Sequence, residues 1–546
     1  NGVYTVYSLT QNGFCAANGN GSMYFAASSD AAEAKWLVTK TSDGYVFQSA
    51  AHQTYMTSDA GLSSNAENIS ISDLNASVTD YSVKYDLSAL NALDSLNGIQ
   101  VISRLHTLGL SRSDLMNPET SMTSLNTNIQ SALSGLPTQT VQYTGNDVDD
   151  LNQFLQNNTG KIVQLTQDIQ VYKNTNGSFG IIMVPSDTIL DGNGHSLVMK
   201  AGYTEAPDVG VVLYVYKNGV IPSTNCGVKN LSTDIPYVNS INVFSADNIL
   251  LENNTLNNAT KSGIMISDEY GSTVNGIIRG NTINNVGDDA IAVYGNHSNL
   301  LIDSNRISGA KGFAGIAISC LQNGQQIRVD NETTGPHDII VTGNVISGCS
   351  GEALYCIGSY KTYITYNTLR DSILEGICLD SGCIGNYFAH NEVVNNGIAG
   401  GLPGVSIDNG IYNIVDSNNI YNNSCSGIKL VRTGLGNIIV NNICTDNAYN
   451  QMGAKSSGID IEPLAVETEN LGYIDGLGSN WNVVLNNTVT GSHDFGVFIA
   501  DDDTANNGGS SCENVIMYNK FSSAYTFGAA DFSSMSSTVK NNITLN

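Results

Sequence analysis

A five-residue unit that recurs through the second half of the chain constrains the fold more than any other sequence feature. Each copy consists of a small residue, an apolar residue, a variable residue, a second apolar residue and a second variable residue. Nine copies align without gaps, and they begin at residues 263, 290, 315, 353, 376, 404, 427, 458 and 496. This alternation is typical of a strand with one buried face. Because consecutive copies start 23 to 38 residues apart, the pattern predicts a solenoid in which each coil contributes one such strand.

A second repeat follows each unit and contains an Asn after a run of apolar residues, as in residues 250–256. The recurring residues are Asn254, Asn281, Asn305, Asn344, Asn367, Asn391, Asn418, Asn441, Asn487 and Asn519. Asn tolerates the left-handed backbone of a sharp turn, and its amide can bond the equivalent Asn one coil along. The two repeats together predict an all-β fold, a right-handed parallel β-helix with an asparagine ladder. Helical solenoids and leucine-rich horseshoes are excluded, since no helical spacing separates the strands.

The first 140 residues have a different organisation. Residues 1–80 alternate short Tyr, Val and Phe strands with Asn-Gly and Asp-Gly turns, which predicts a small all-β accessory module. Residues 81–140 carry Leu and Ile at helical spacing and are predicted to be a helical connector, so that the β-helix catalytic domain spans 141–546. A short amphipathic helix at 146–156, followed by a strand at 161–165, is expected to cover the edge of the first coil.

The charge of the chain restricts its partners. With 49 acidic and 22 basic residues the net charge is -27, which disfavours nucleic acid, anionic membranes and polyuronates and favours an oligosaccharide or neutral polysaccharide. No stretch of 18 apolar residues is present, so no membrane insertion is predicted. Few lysines and a surface rich in Asn, Ser, Thr and Gly favour a secreted or cell-surface location. The pattern carries no signal for the oligomeric state.

Ten cysteines are present, without a CxxC pair or zinc-ligand spacing. We expect them to fill the core, with a disulfide bridge or two among them. No cofactor is predicted, and calcium is the one metal that the acidic positions described next leave open.

The predicted outward positions of the strand units contain a pair of acids. If the second and fourth residues are buried, the third and fifth face solvent, and equal positions on neighbouring coils lie about 4.8 Å apart. Asp380 and Asp408 occupy the fifth position on adjacent coils. Such stacked acids repel, which favours a functional reason: a catalytic acid and nucleophile, or a bound calcium ion. The structural alternative is burial against a basic partner such as Lys429. We predict the catalytic pair, supported by Glu375.

Other polar and aromatic side chains near these positions are expected to contact the substrate. Tyrosine rings stack on sugars, and charged groups bond hydroxyl groups. The predicted contacts are Lys429, Arg432, Asp460, Glu462, Tyr355, Tyr294, Glu352, Asp289 and Asp288.

Four stretches of the sequence resemble two known carbohydrate-active families. Residues 287–293, Gly-Asp-Asp-Ala-Ile-Ala-Val, resemble the paired-aspartate motif of polygalacturonase-type β-helix glycoside hydrolases, although Ser262 and Ala314 stand where that family has a third Asp and a His. Segments 375–382, 402–409 and 426–432 are similar to the central coils of lacto-N-biosidase-type β-helix glycosidases. That resemblance implies a β-helix with an extra N-terminal domain and a pair of catalytic aspartates.

These observations predict a glycoside hydrolase that acts on an oligosaccharide or neutral glycan. The first alternative is a polysaccharide lyase or epimerase, in which Lys429 serves as base while Arg432, often with calcium, neutralises a uronate. The second alternative is a non-catalytic glycan-binding surface protein. The fold alone supports all three, because function is determined by the site.

Overall fold

The structure is a computed structural model of the 546-residue chain. It describes residues 2–4, 7–8, 13–17, 23–26, 36–40, 45–49, 51–52, 55–56, 62–63, 117–173, 180–203, 205, 207–216, 220–322, 325–326, 335–380, 382–432, 434–448, 457–462, 479–500, 511, 514–522, 527–533, 537–540 and 542–545. The chain forms two compact units, residues 1–86 and 87–546.

The described part of the first unit consists of antiparallel strands. These strands are Gly2–Tyr4, Tyr7–Ser8, Gly13–Ala17, Met23–Ala26, Trp36–Lys40, Tyr45–Ser49, Tyr55–Met56 and Leu62–Ser63. A small β-rich module at the N-terminal end of the sequence is thus confirmed. Of the predicted connector, residues 81–116 lie outside the described residues, whereas Pro118–Ala132 is an α-helix.

The second unit is a right-handed parallel β-helix, as the sequence predicts. Three long parallel sheets run along it, and each coil adds one strand to each sheet in turn. Sheet 1 contains Thr140–Tyr143, Lys161–Leu165, Thr188–Asp191, Thr224–Lys229, Asp247–Glu252, Val274–Arg279, Ser298–Asp303, His337–Thr342, Tyr360–Thr365, Tyr387–Ala389, Ile414–Asp416, Ile438–Val440, Val483–Leu485, Val515–Met517 and Thr538–Lys540. Sheet 2 contains Ile169–Val171, Ser196–Met199, Ser232–Thr233, Thr255–Asn257, Thr282–Asn284, Arg306–Ser308, Val345–Ser347, Thr368–Arg370, Glu392–Val394, Asn419–Tyr421, Ile443–Thr445, Thr488–Thr490, Lys520–Ser522 and Ile543–Leu545.

Sheet 3 contains all nine of the aligned units. Its strands are Ile182–Met183, Val209–Val212, Asn239–Phe244, Ile264–Ser267, Ile291–Tyr294, Ile316–Ser319, Leu354–Ile357, Ile377–Asp380, Val405–Asp408, Ile428–Val431, Ser457–Glu462, Phe495–Ile499 and Phe527–Asp531. Two antiparallel hairpins, Tyr214–Tyr216 with Val220–Pro222 and Leu321–Gln322 with Gln325–Gln326, lie outside the three sheets.

The core is a continuous apolar column inside the three sheets. In all nine units the second and fourth residues belong to it, as Ile377 and Leu379 illustrate, so the predicted register of inward and outward positions is confirmed. The small residue at the start of a unit lies where the chain enters sheet 3. A Cβ atom added to Gly376 would lie 2.5 Å from Val393 Cγ1 in sheet 2, so a larger side chain there would collide with the core.

The asparagine ladder is present, with one correction. The buried series runs Asn254, Asn281, Asn305, Asn344, Asn367, Asn391, Asn418, Asn442, Asn487, Asn519 and Asn542, and each side-chain amide donates to the next side-chain oxygen at 2.9–3.1 Å. The predicted member Asn441 is wrong by one residue. Asn441 has a φ of 59° and precedes the ladder residue, so the left-handed turn and the ladder amide belong to neighbouring positions.

Two further ladders stabilise other turns of the coil. One joins Asn386, Asn413, Asn437, Asn482 and Asn514 at 3.0–3.2 Å, and the other joins Asn396, Asn423 and Asn447 at 2.9–3.1 Å. Their backbone and side-chain polar groups are buried, so each amide satisfies donors and acceptors that would otherwise be left without partners.

Two of the described α-helices pack against the β-helix. Val148–Asn157, capped by the Asp147 side chain, buries Val148, Leu151 and Leu155 in the core at the first coil, so the predicted helix and the strand that follows it are confirmed. Pro118–Ala132 contacts the outer face of sheet 1, where Tyr387 Oη donates to Glu119 Oε1 at 3.1 Å.

The cysteines serve mainly as core residues. Seven of those with described side chains, Cys226, Cys349, Cys356, Cys378, Cys383, Cys425 and Cys444, are free thiols. The predicted disulfide bridge is therefore absent among these seven.

Candidate functional site

The predicted acid pair lies on the outer face of sheet 3. The pairing of Leu379 with Ile407 aligns the strands Ile377–Asp380 and Val405–Asp408, so Asp380 and Asp408 occupy equivalent positions on adjacent coils. Both carboxyl groups are half-buried and lie outside the apolar core. The structure thus brings together the two residues that the sequence pattern paired.

The two acids have different surroundings. The Asp380 Oδ2 atom accepts a hydrogen bond of 2.7 Å from Tyr355 Oη, while Asp408 Oδ1 lies 3.2 Å from the Arg432 guanidinium. Burial and, to a smaller extent, the charge of Asp380 raise the pKa of Asp408 to about 7, although Arg432 partly opposes both effects. Asp408 therefore carries a proton for part of the time at neutral pH.

A second pair of acids, Glu352 and Glu375, lies close enough to Asp380 for the charge of Asp380 to act on both carboxyl groups. Glu352 and Glu375 precede equivalent strands on adjacent coils, where Ala353 N donates to the Glu375 carbonyl at 3.1 Å. Burial raises the pKa of each carboxyl group to about 7, and in both cases the charge of Asp380 contributes. Glu352 is only 6% exposed, and its Oε2 atom has no hydrogen-bond partner among the described residues.

Of the two adjacent aspartates at 288 and 289, Asp289 has a structural role. Asp289 is fully buried, and its side chain accepts hydrogen bonds from Ala314 N at 2.9 Å and from Tyr294 Oη. Burial raises the pKa of Asp289 to about 7. Asp289 therefore fixes the next coil to its own, while Asp288 is half-buried in the turn before the strand.

The basic residues have partners that the sequence did not identify. Lys429 Nζ lies 3.4 Å from Asp460 Oδ2 and 3.2 Å from Glu462 Oε2, and Asp460 is 3% exposed. The basic partner of the acid pair is therefore Arg432 and not Lys429. Burial lowers the pKa of Lys429, but the two carboxylates raise it more, and the result lies above the usual value.

Sequence reasoning missed two neighbours of the acid pair. The Cys378 thiol lies on the same face, where burial and the charges of Asp380 and Glu375 raise its pKa well above the usual value. The ring of Phe313 meets Tyr355 edge-on, with 4.8 Å between ring centroids. Cys378 occupies a predicted outward position and so was identifiable from the alignment, whereas Phe313 lies in a turn for which the repeat makes no prediction.

The candidate site is therefore the group Asp380, Asp408, Glu375, Glu352, Tyr355 and Arg432. Tyr294 and Asp289 lie on an earlier coil, and Lys429, Asp460 and Glu462 form a separate ion-pair group on later coils. Among the residues that the structure describes, no group of three or more His, Cys, Asp or Glu side chains is arranged to hold a metal ion. The predicted calcium alternative remains a prediction.

Comparison with known proteins supports the architecture. The family model described as "Right handed beta helix region" matches residues 213–334, and no curated protein matches the chain. Within the described part of the chain, no helix combines the length and the apolar composition needed to cross a membrane.

Several solved structures are similar to this chain at low identity. The mannuronan C-5 epimerase AlgE6 A-module of Azotobacter vinelandii has 15% identity, with 74% of this chain and 100% of that chain covered and a TM-score of 0.41. The periplasmic alginate epimerase AlgG has 14% identity, coverage of 77% and 88%, and a TM-score of 0.41. PfbA, a surface adhesin of Streptococcus pneumoniae, has 12% identity, coverage of 71% and 88%, and a TM-score of 0.39. Similarity at this level carries no inference about activity.

Proposed function

We propose that this protein is a glycoside hydrolase whose active site lies on the outer face of sheet 3. Its substrate is an oligosaccharide or polysaccharide that contains no acidic sugars. The observation that carries the proposal is the difference between two adjacent carboxyl groups. Asp408 has a pKa of about 7, while Asp380 accepts a hydrogen bond from Tyr355. A carboxyl group that retains a proton near neutral pH, next to a second carboxyl group that a tyrosine orients, is an arrangement suited to glycoside hydrolysis.

In this mechanism each residue of the pair has a distinct role. Asp408 donates its proton to the glycosidic oxygen as that bond breaks, while an Asp380 oxygen bonds to the anomeric carbon and forms a covalent glycosyl-enzyme. Asp408, now ionised, then takes a proton from a water molecule whose oxygen displaces Asp380 from the anomeric carbon and releases the sugar. Tyr355 fixes the orientation of Asp380 through the 2.7 Å hydrogen bond. Glu375 lies close enough to Asp380 for the two charges to interact, and it supports the pair electrostatically.

The coil spacing indicates the stereochemical course. Equivalent positions on adjacent coils lie about 4.8 Å apart, and carboxyl groups separated by about 5–5.5 Å suit a covalent glycosyl-enzyme and retention of configuration. Inversion requires about 6.5–9.5 Å, which admits a water molecule between acid and sugar. We therefore expect the first-formed product to keep the anomeric configuration of the substrate, which NMR of the anomeric proton reports.

The lyase or epimerase alternative is less well supported. It needs Lys429 as a base, but the carboxylates of Asp460 and Glu462 hold the pKa of Lys429 above its usual value, so the amine keeps its proton at neutral pH. The net charge of -27 also repels a polyuronate. A binding surface without catalysis is disfavoured by the buried acids with raised pKa values, which cluster at catalytic sites more often than elsewhere. The composition favours a secreted or cell-surface location for such an enzyme.

The test is a panel of oligosaccharides and polysaccharides assayed for new reducing ends, with ultraviolet absorbance for unsaturated products in parallel. We expect reducing ends without unsaturated products. Asp380→Asn and Asp408→Asn should each lower turnover by about 10²- to 10⁴-fold, whereas the control Asp303→Asn, in sheet 1, should not. Unsaturated products would identify a lyase, and binding without turnover would identify a glycan-binding protein.

A further inference from the structure

We propose that Glu352 and Glu375 bind the protonated amine of an amino sugar, so that the glycan carries a free amino group beside the scissile bond. This inference rests on the proposed function, because it specifies the substrate class of the same site. It departs from the sequence-based expectation of a neutral glycan.

The geometry of the two glutamates fits an ammonium group. Their strands pair in register, with Leu354 opposite Ile377, so the two residues occupy equivalent positions on adjacent coils, about 4.8 Å apart. An ammonium group has three donors, and its bonds to carboxylate oxygens measure about 2.7–2.9 Å. One nitrogen placed between the two carboxyl groups can therefore bond both of them at once.

The buried oxygen of Glu352 indicates that a donor is missing. Glu352 is 6% exposed, yet its Oε2 atom accepts no hydrogen bond from any described residue. A buried carboxyl oxygen without a partner is unfavourable, because it has lost its hydrogen bonds to water and gained none in the protein. A ligand that donates a hydrogen bond at this position removes that penalty, so the site favours a donor.

The charges around Glu352 select a cationic donor over a neutral one. Its carboxyl group is faced by Glu375, Asp380 and Asp289, and no described cation pairs with it. Arg432 is engaged with Asp408, and Lys429 is engaged with Asp460 and Glu462. A sugar hydroxyl offers one donor and no charge, whereas a protonated amine offers three donors and compensates the surrounding carboxylates.

The same electrostatics give a signature of binding. The pKa values of Glu352 and Glu375 are both about 7, raised by burial and by neighbouring acids. A cation held between the two groups favours their charged forms and lowers both pKa values. Binding of an amine near neutral pH should therefore release protons, whereas binding of a neutral sugar should not.

The experiment compares matched ligands that differ only in charge. The probes are the methyl glycosides of glucosamine, galactosamine and mannosamine and their N-acetylated counterparts, measured by titration calorimetry near pH 6.5 in two buffers with different ionisation enthalpies. We expect at least one amine to bind about 10- to 100-fold more tightly than its acetylated counterpart, as for a charge-assisted hydrogen bond, and to release protons.

Variants assign this preference to the two glutamates. Glu352→Gln and Glu375→Gln should each abolish the preference and the proton release, while the matched control Glu252→Gln, at the end of a strand in sheet 1, should retain both. Equal binding of amine and acetylated sugars by the wild-type protein would overturn the inference, and so would a preference that survives both glutamate variants. If either variant does not fold, the test is whether the wild-type protein releases protons when it binds an amine; binding without proton release would overturn the inference.

The Asp408→Asn variant separates this inference from the proposed hydrolysis. It should lose turnover yet keep the amine preference, because the preference is assigned to Glu352 and Glu375 and both residues are unchanged in this variant. If the wild-type protein prefers amines but hydrolyses no glycan, only the proposed function is refuted. Hydrolysis without an amine preference refutes only the inference.

Discussion

Replacement of Asp408 by asparagine should change how the stability of the protein depends on pH. The Asp408 side chain is 16% exposed, and burial raises its pKa from 3.8 to about 7. Below pH 3.8 the carboxyl group is protonated in both the folded and the unfolded chain, so it has no effect. Between pH 3.8 and pH 7 the unfolded chain loses the proton first, and the free energy of unfolding falls as pH rises.

The size of the effect follows from the two pKa values. Each pH unit in that interval lowers the free energy of unfolding by about 1.4 kcal/mol. From pH 5 to pH 8 the Asp408 contribution therefore falls by about 3 kcal/mol, since the loss ends near pH 7. The asparagine side chain of the variant does not titrate, so the variant should gain about 3 kcal/mol relative to the wild type between those two pH values.

The assay is urea denaturation followed by circular dichroism at pH 5 and pH 8. Asp303→Asn is the control, because it breaks the 2.7 Å ion pair with Arg279 in sheet 1 and should lower stability similarly at both pH values. If the free energies of unfolding of the Asp408→Asn variant and the wild type differ by the same amount at pH 5 and pH 8, the assignment of a buried, protonated Asp408 is refuted.

Three further substitutions test other parts of the structure. Asn391→Ala removes five hydrogen bonds of 2.8–3.0 Å and should lower the free energy of unfolding by about 5 kcal/mol; a loss no larger than that of Asn395→Ala, measured by urea denaturation, would contradict the ladder. Lys429→Met leaves buried Asp460 without its cation and should lower stability by about 3–5 kcal/mol at pH 8, but less at pH 5, because the pKa of Asp460 is about 6. Tyr355→Phe should lower turnover about tenfold while the melting temperature is unchanged, since the ring still packs on Phe313; unchanged turnover would show that the hydrogen bond to Asp380 is dispensable.

The sequence predicted the coil and its register because both depend on a local rule. Apolar residues alternate with variable ones in every unit, so the burial of Ile377 and Leu379 and the adjacency of Asp380 and Asp408 follow directly. The ladder was predicted nearly completely for the same reason. Asn441 was mistaken for Asn442 because adjacent asparagines occupy the turn and the ladder positions, and only the backbone conformation distinguishes them.

The contacts of the site depended on features that the repeat does not encode. Arg432 lies just beyond its strand, where a φ of 56° turns the chain, and this turn brings its guanidinium to Asp408. Lys429 reaches sideways to Asp460 and Glu462 on the next coil. The sequence placed these residues in one region, but side-chain direction and protonation depend on burial, which alternation alone does not predict.

The ladder also separates the length of a coil from the position of its strands. Asn344 and Asn367 are 23 residues apart and Asn442 and Asn487 are 45 residues apart, yet the side-chain hydrogen bonds that join them measure 2.9 Å and 3.0 Å. A loop can therefore gain or lose many residues between two ladder rungs while the strands on either side keep their register. Under the proposed function, a change in loop length can therefore alter the choice of glycan without disturbing the relative placement of Asp380 and Asp408.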